Sequence, residues 1–269
     1  MHYFQGCTAL ITGASSGIGR EIAWQLAPGA HALILVARNL EQLEALKAEL
    51  TRDNAGLNVF IYGLDLRDGL KTDEFLHWLG ENNLRVNFLV NNAGHGDYGD
   101  FETADWEKIE SMIALNITAL TRLTHRLIPV LKSFEDSAIL NVSSITAFLP
   151  LPQMAVYSAT KAYVSSFSEA LRIELRDSGV SVTTLCPGPT PTGFSDAARR
   201  GPQDKGASPE FLQIPSAQVV HEALRAVARG RARVIPGWKV AAGVALVSIL
   251  PMVLLRLGLS RFLEARREE

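Results

Sequence analysis

Ala9-Leu10-Ile11-Thr12-Gly13-Ala14-Ser15-Ser16-Gly17-Ile18-Gly19-Arg20 is the stretch that decides the fold of this chain. A short apolar strand runs into a glycine-rich turn, and helical spacing follows through Ile22, Ala23 and Leu26. Only in that order, strand then turn then helix, does such a glycine motif become informative. Glycines let the backbone turn tightly and approach a pyrophosphate, which free N–H groups at the helix N-terminus then hold. The spacing is G-x-x-x-G-x-G instead of the commoner G-x-G-x-x-G, so an ordinary strand-to-helix turn stays open at this point.

Outward from that start, strand-like apolar runs recur at 7–12, 32–36, 58–62, 86–91, 137–142, 180–185 and 232–235, alternating with helical patterns. This alternation predicts an α/β fold, a parallel doubly wound sheet with helices on both faces. At 269 residues a single domain is the natural expectation, drawn here as 1–237, with a hydrophobic and amphipathic extension over 238–269.

A second constellation lies downstream. Val156, Ala159, Tyr163, Phe167, Ala170 and Leu171 repeat at helical spacing, which puts Tyr157 and Lys161 one turn apart on one face. A phenol is a weak acid–base catalyst at neutral pH, and a neighbouring cation would bring its pKa closer to the working range. Tyr-x-x-x-Lys alone is weak evidence; behind a nucleotide-binding start it points to proton transfer onto a carbonyl oxygen.

With these motifs in order, joined by Asp65, Asn91-Asn92-Ala93-Gly94, Asn116, Ser143 and Pro187-Gly188, the chain resembles the short-chain dehydrogenase/reductase superfamily from about Thr8 to Thr192. The resemblance implies a seven-stranded Rossmann-like domain and a catalytic set of Asn116, Ser143, Tyr157 and Lys161. Tyr157 would be the general acid in reduction and the base in oxidation. Ser143 would hydrogen-bond the substrate oxygen. Lys161 would hold the nicotinamide ribose and lower the Tyr157 pKa, and Asn116 would hold a water linking Lys161 to solvent. The implied cofactor contacts are Gly13, Ser15, Ser16, Gly17, Ile18, Gly19, Asp65, Leu66, Asn92, Ala93, Gly94, Pro187, Gly188 and Thr192, with Tyr157 and Lys161 serving both roles. Asp65 would meet the adenine amino group and Thr192 the nicotinamide carboxamide. Taken on their own, Asn116 also reads as a capping or turn residue, Asp65 as a solvated loop acid and Asn91-Asn92-Ala93-Gly94 as a loop fixed by side chains.

The second apolar run ends Val36-Ala37-Arg38-Asn39, where an NAD enzyme would place a carboxylate for the adenosine 2′-hydroxyl. A guanidinium suits a 2′-phosphate better, so the expected cofactor is NADP(H), with NAD(H) second. Ser16 stands where many NADP-preferring relatives carry a basic residue, which leaves the strictness of that preference open.

The net charge of −2 and the lack of a basic stripe before the C-terminal end argue against a nucleic-acid partner. Cys7 and Cys186 fall in expected strands and read as buried and reduced, with no metal-ligand cluster in view. No signal-peptide core is apparent at the N-terminus, so a cytoplasmic location is expected, peripheral at the inner membrane face if the extension binds lipid. The helices expected near 105–132 and 155–178 are apolar on more than one face, and in relatives they form homodimer or homotetramer interfaces.

Substrate residues should lie in loops at the carboxyl ends of the strands. Residues 94–101, the stretch 145–154 with Phe148, Leu149, Leu151, Gln153 and Met154, and a mobile lid over 189–215 qualify. Their lining suggests a small lipophilic carbonyl or alcohol. His95 is an extra candidate acid, outweighed by a bystander role. Rival readings are a redox-neutral epimerase or dehydratase and an NADPH-binding redox sensor without turnover.

Between Lys239 and Arg256, Val240 to Leu255 carries no charge, and Pro251 interrupts it. That is short of the roughly 20 residues a simple span needs. Beyond it, Arg256, Arg261, Arg266 and Arg267 alternate with Leu257, Leu259, Phe262 and Leu263. A cover on the pocket or on a partner subunit, a membrane-surface element at 238–267, and a transmembrane anchor all remain open for this tail.

Overall fold

The computed structural model describes residues 4–201 and 212–267, with side chains described as far as Arg261. Seven strands form one parallel sheet in the order β3-β2-β1-β4-β5-β6-β7. They are β1 Thr8–Thr12, β2 Ala32–Ala37, β3 Asn58–Gly63, β4 Phe88–Asn91, β5 Ser137–Val142, β6 Val180–Leu185 and β7 Arg233–Val234. Helices α1 Gly17–Leu26, α2 Leu40–Asp53 and α3 Gly69–Glu81 make the first crossovers. After β4 come α4 Trp106–Ile113 and α5 Leu120–Leu131, then α6 Ala155–Glu174, the short α7 Phe194–Ala198 and α8 Ser216–Ala228. Two further helices, α9 Trp238–Ile249 and α10 Met252–Arg267, end the chain.

A sheet buried on both faces explains why its strands read as continuous apolar runs. Every residue of β2 is buried, and its side chains alternate between two cores. Leu33, Leu35 and Ala37 join one core with Ile22, Leu43 and Val220, while Ile34 and Val36 join the other with Phe75, Leu123 and Val182. Burial of these large apolar side chains, at about 25 cal/mol per Å² removed from water, is the main force holding the layers together. β7 is the shortest strand and lies at the sheet edge, next to Pro236, which has no N–H to continue a ladder.

The expected long helix over 105–132 is interrupted. Between α4 and α5 the backbone widens into a π-helical turn, Ala114–Ala119, that contains Asn116. Such a turn shifts the face of the following helix and is often found at functional positions. The strand order reverses between β1 and β4, which opens a crevice at their carboxyl ends. The glycine turn and the Asn91-Asn92-Ala93-Gly94 loop meet there.

Candidate active site

The glycine turn is held by side chains of the facing loop. Asn92 donates from Nδ2 to the Thr12 carbonyl at 2.9 Å and to that of Gly13 at 3.2 Å. Thr12 Oγ1 in turn accepts from the Asn92 and Ala93 N–H groups, each at 3.0 Å. At Gly19 a side chain has no room, because a Cβ there would lie 2.3 Å from the Gly13 carbonyl oxygen and 2.5 Å from Asn92 Nδ2. Gly17, at φ +53°, sits against Thr192, whose Cβ would be 2.9 Å from an added Cβ. Ser16 caps α1 without a side-chain bond to its backbone, so it does not occupy the N–H groups of that first turn. Ser15 and Ile18 are half-buried around this turn, Leu66 and Pro187 are buried, and Gly188 is half-buried.

Asn91 and Asn141 form a buried polar link below the crevice. Asn91 Nδ2 donates to Thr124 Oγ1 and Asn141 Oδ1, both at 2.9 Å, and Asn141 Nδ2 donates to Ser168 Oγ at 2.9 Å. The expected loop over 91–94 therefore starts one residue later: Asn91 ends β4, paired with Asn141, and serves the sheet, while Asn92 begins the loop and serves the turn.

Asn116 is buried, and its amide joins two segments. Nδ2 donates to the His95 carbonyl at 2.9 Å and to Thr160 Oγ1 at 3.1 Å, while Oδ1 accepts from the His95 N–H at 3.1 Å. A Cβ on Gly94 would lie 3.0 Å from Asn116 Oδ1 and 3.4 Å from Lys161 Nζ, so both side chains border that glycine. His95 bonds Ser111 Oγ through Nε2 at 3.0 Å, and burial pushes its pKa down, which keeps the imidazole neutral. Its ring and its backbone are both engaged, by Ser111 and by Asn116.

Tyr157 and Lys161 lie one turn apart on α6, both buried, with Nζ 5.8 Å from the phenol ring centroid. Burial pushes the Tyr157 phenol up to about 12 and the Lys161 ammonium down to about 8. Lys161 Nζ donates to the Val142 carbonyl at 2.9 Å. The expected downward pull of Lys161 on the phenol is not what this geometry delivers; desolvation dominates, and the group that favours the phenolate is the Ser144 hydroxyl.

The two adjacent serines, Ser143 and Ser144, take different partners. Ser143 Oγ donates to the Lys161 carbonyl at 2.8 Å and lies 2.8 Å from Ser165 Oγ, so it is tied to the core side of α6. Ser144, next along the chain, hydrogen-bonds the Tyr157 phenol and caps the turn over Ile145–Phe148 through Thr146 N–H at 3.1 Å. The structure therefore sets Ser144, and not the expected Ser143, beside the Tyr157 phenol.

Asp65 is already engaged. Arg67 binds its carboxylate from Nε at 2.9 and 3.0 Å and holds it below the usual range; Arg38 adds to this from farther off. Arg67 Nη1 also donates to Ser111 Oγ at 2.7 Å. An adenine amino group would have to share Asp65 with Arg67. Arg38 itself is exposed at the end of β2.

A shallow, open cleft lies in front of Tyr157, lined by Phe101, Ile109, Met112, Met154 and Val156 together with Asp97, Gln153 and Arg200. Of the stretch 145–154, Gln153 and Met154 reach it; Phe148 instead stacks under Arg233 at 5.1 Å. Asp97 lies at its edge, bonded to Lys108 Nζ at 3.0 Å and to the Arg200 guanidinium. Burial raises the Asp97 pKa, but Arg200 and Lys108 outweigh it and hold the carboxyl below its usual range. Phe194 of α7 covers Tyr157, ring centroids 5.5 Å apart. The segment expected as a lid thus contributes Thr192, Phe194 and Arg200; residues 202–211 of it lie outside the described residues. Phe194 and the Asp97–Lys108–Arg200 cluster had no motif to announce them.

Cys7 and Cys186 are buried free thiols, pushed by burial to about 12 and about 11. Among the described residues no group of three or more His, Cys, Asp or Glu side chains is placed to hold a metal.

The short chain dehydrogenase family model matches residues 7–203. The chain is 40% identical over 203 residues to a sulfoacetaldehyde reductase of Chromohalobacter salexigens, covering 72% of this chain and 76% of that one. A short-chain dehydrogenase from Sphingobium yanoikuyae, solved in complex with NADPH, superposes with a TM-score of 0.79 at 34% identity over 95% of both chains. A bulky-bulky ketone specific alcohol dehydrogenase from Comamonas testosteroni superposes with a TM-score of 0.76 at 30% identity, over 95% of this chain and 94% of that one. Motifs, sheet order and comparisons agree: the chain belongs to the short-chain dehydrogenases, oxidoreductases that move a hydride between a nicotinamide cofactor and a carbonyl or alcohol.

Proposed function

We propose that the chain reduces a lipophilic ketone or aldehyde with NADPH, using Tyr157 as the proton donor and Ser144 as the second hydrogen-bond donor to the carbonyl oxygen. One observation carries this reading: the buried Tyr157 phenol faces a cleft whose inner wall is Ile109, Met112, Met154 and Val156, with the Ser144 hydroxyl beside it. The glycine turn fits a dinucleotide, since Gly13 and Gly19 let it close tightly against Asn92 and Ala93, Gly17 lets it close against Thr192, and the first-turn N–H groups of α1 carry no side-chain cap. Gly13 to Gly19 would take the pyrophosphate, Arg38 the 2′-phosphate, and Lys161 with Asn92 to Gly94 the nicotinamide end. A bound nicotinamide supplies the hydride.

The chain's own groups manage the proton. A phenol titrating near 12 keeps its proton at neutral pH and has it to give. As charge builds on the carbonyl oxygen, Tyr157 Oη and Ser144 Oγ meet it as donors already in place, which is where preorganisation contributes most. The phenolate left behind is favoured by the Ser144 hydroxyl, with Lys161 Nζ 5.8 Å from its ring. Phe194 and the cleft side chains keep water from the exchange.

The cleft favours a neutral substrate because Arg200 is spent on Asp97, the Asp100 carbonyl at 2.8 Å and Thr103 Oγ1 at 3.1 Å. One observation favours a second reading, a small anionic aldehyde: two cations, Lys108 and Arg200, share the single charge of Asp97, and a sulfoacetaldehyde reductase is among the similar proteins. The test is NADPH and NADH oxidation against a graded panel, from sulfonated and carboxylated aldehydes to long-chain and bulky ketones. The proposal expects kcat/KM to rise with apolar size and NADPH to outperform NADH. A preference for the anionic aldehydes would transfer the assignment to the second reading.

A further inference from the structure

Helices α9 and α10 present a surface that the reaction does not use. α9 rests on the domain through Val240, which is buried against Gly188 and Ile145, and through Val244, one turn on. On an ordinary surface helix the opposite side would be polar. Here it carries Trp238 at 78% exposure, Leu246 at 60% and Ile249 at 77%. The apolar surface continues past the bend at Pro251 through Met252, Val253, Leu254 and Leu257, all exposed. No single helix is long and apolar enough to cross a membrane, but Trp238–Ile249 and Met252–Arg261 reach that apolarity as a pair bent by 118°.

Charge decides which partner fits. From Ala223 to Leu263 the sequence contains no Asp or Glu. Lys239, Arg256 and Arg261 flank the apolar residues, exposed and paired with no carboxylate among the described residues. Lys239 Nζ lies 5.9 Å from the Trp238 ring, so an aromatic and a cation share the edge of the patch. A continuous apolar patch, bordered by cations and a tryptophan on two short helices bent by 118°, matches an element lying at the boundary between headgroups and acyl chains.

We infer that the α9–α10 hairpin docks the protein on the surface of an anionic phospholipid bilayer. The attachment through Val240 fixes the bilayer next to Gly188 and Ile145, the latter adjoining Ser144, and so beside the cleft. Docking itself does not depend on the reaction proposed above, and its test needs no substrate.

The full chain is co-sedimented with vesicles of phosphatidylglycerol and phosphatidylcholine in equal parts, and with vesicles of phosphatidylcholine alone. The comparison proteins are Leu246→Glu/Ile249→Glu/Leu254→Glu, altered only at exposed positions, and Arg256→Glu/Arg261→Glu. Binding to the anionic vesicles is expected, weakened about tenfold or more by the arginine changes and abolished by the glutamate triple. Brominated lipid should quench tryptophan fluorescence in the full chain, with the effect much reduced in Trp238→Phe. Equal partitioning of the full chain and the triple variant, or no vesicle binding by either, would overturn the inference. A full chain that stays off vesicles and sediments as an oligomer that the triple variant dissolves would overturn it in favour of a second copy of this chain.

Discussion

The Ser143 hydroxyl donates to the Lys161 carbonyl at 2.8 Å, and this bond turns it away from the cleft. Ser144 is left to meet the phenol. Ser144→Ala should therefore lower kcat by about a hundredfold, the loss typical of one donor to a developing oxyanion. Ser143→Ala should cost roughly 1 kcal/mol of stability and leave kcat nearly unchanged. Steady-state kinetics and thermal melts of the two variants decide between them; the opposite ranking of kcat would restore Ser143 as the donor.

Lys161 gives the folded protein a pH signature. Burial moves its titration from 10.5 to about 8, so between these values the folded chain has released a proton that the unfolded chain still binds. Stability from this group therefore rises with pH through that window and is lost as pH falls through 8. Tyr157, raised from 10.0 to about 12, acts in the opposite sense above pH 10. Lys161→Met removes the cost of the buried ammonium, a gain of up to roughly 3 kcal/mol near pH 7, reduced by the lost bond to Val142. Urea denaturation at pH 7 and pH 10 should show the variant's relative stability falling as pH rises. A difference that does not change with pH would mean that Lys161 titrates normally.

Much of this architecture could be read from the chain because parallel strands buried on both faces leave continuous apolar runs. All seven strands lie where those runs are. Choosing between two adjacent serines needed the strand's parity. Ala138, Leu140 and Val142 face one core, while Ile139 faces the other and Asn141 reaches Ser168 on α6. Continuing the alternation puts Ser143 toward α6 and Ser144 away from it. That signal was present in β5 and distinguishes Ser143, bonded along α6, from the Ser144 of the proposed mechanism. Phe194 and the Asp97–Lys108–Arg200 cluster are another matter, since they join loops and helices distant in sequence with no periodic pattern. The effect of Lys161 on Tyr157 also depended on burial, which spacing on a helix does not report.

Arg38 stands exposed at the end of β2 and carries the proposed preference for NADPH. Arg38→Ala should raise the Kd for NADPH by tenfold or more, on the order of the 1.5–3 kcal/mol of a charge-assisted bond, and change that for NADH far less. Fluorescence titration of both nucleotides gives the ratio. Equal losses would move the 2′-phosphate site elsewhere.

Gly19→Ala would press a methyl group to within 2.3 Å of the Gly13 carbonyl oxygen, a backbone atom that cannot give way without reshaping the turn. The expected result is lost nucleotide binding and a clearly lower Tm. Gly80→Ala, with nothing within 4 Å of the added carbon, should keep wild-type binding and gain a few tenths of a kcal/mol from helix propensity. Nucleotide binding that survives Gly19→Ala intact would show that the turn does not take the pyrophosphate.

Proton donation from Tyr157 is the centre of the account, and Tyr157→Phe isolates it because the ring against Phe194 is kept and only the hydroxyl is removed. The measurement is the single-turnover rate of NADPH oxidation by wild type and Tyr157→Phe on the best carbonyl of the panel, with NADPH affinity checked in both. A rate at least about a hundredfold lower at unchanged NADPH affinity is predicted. A variant that turns over within a few-fold of wild type would contradict the assignment of Tyr157 as the acid.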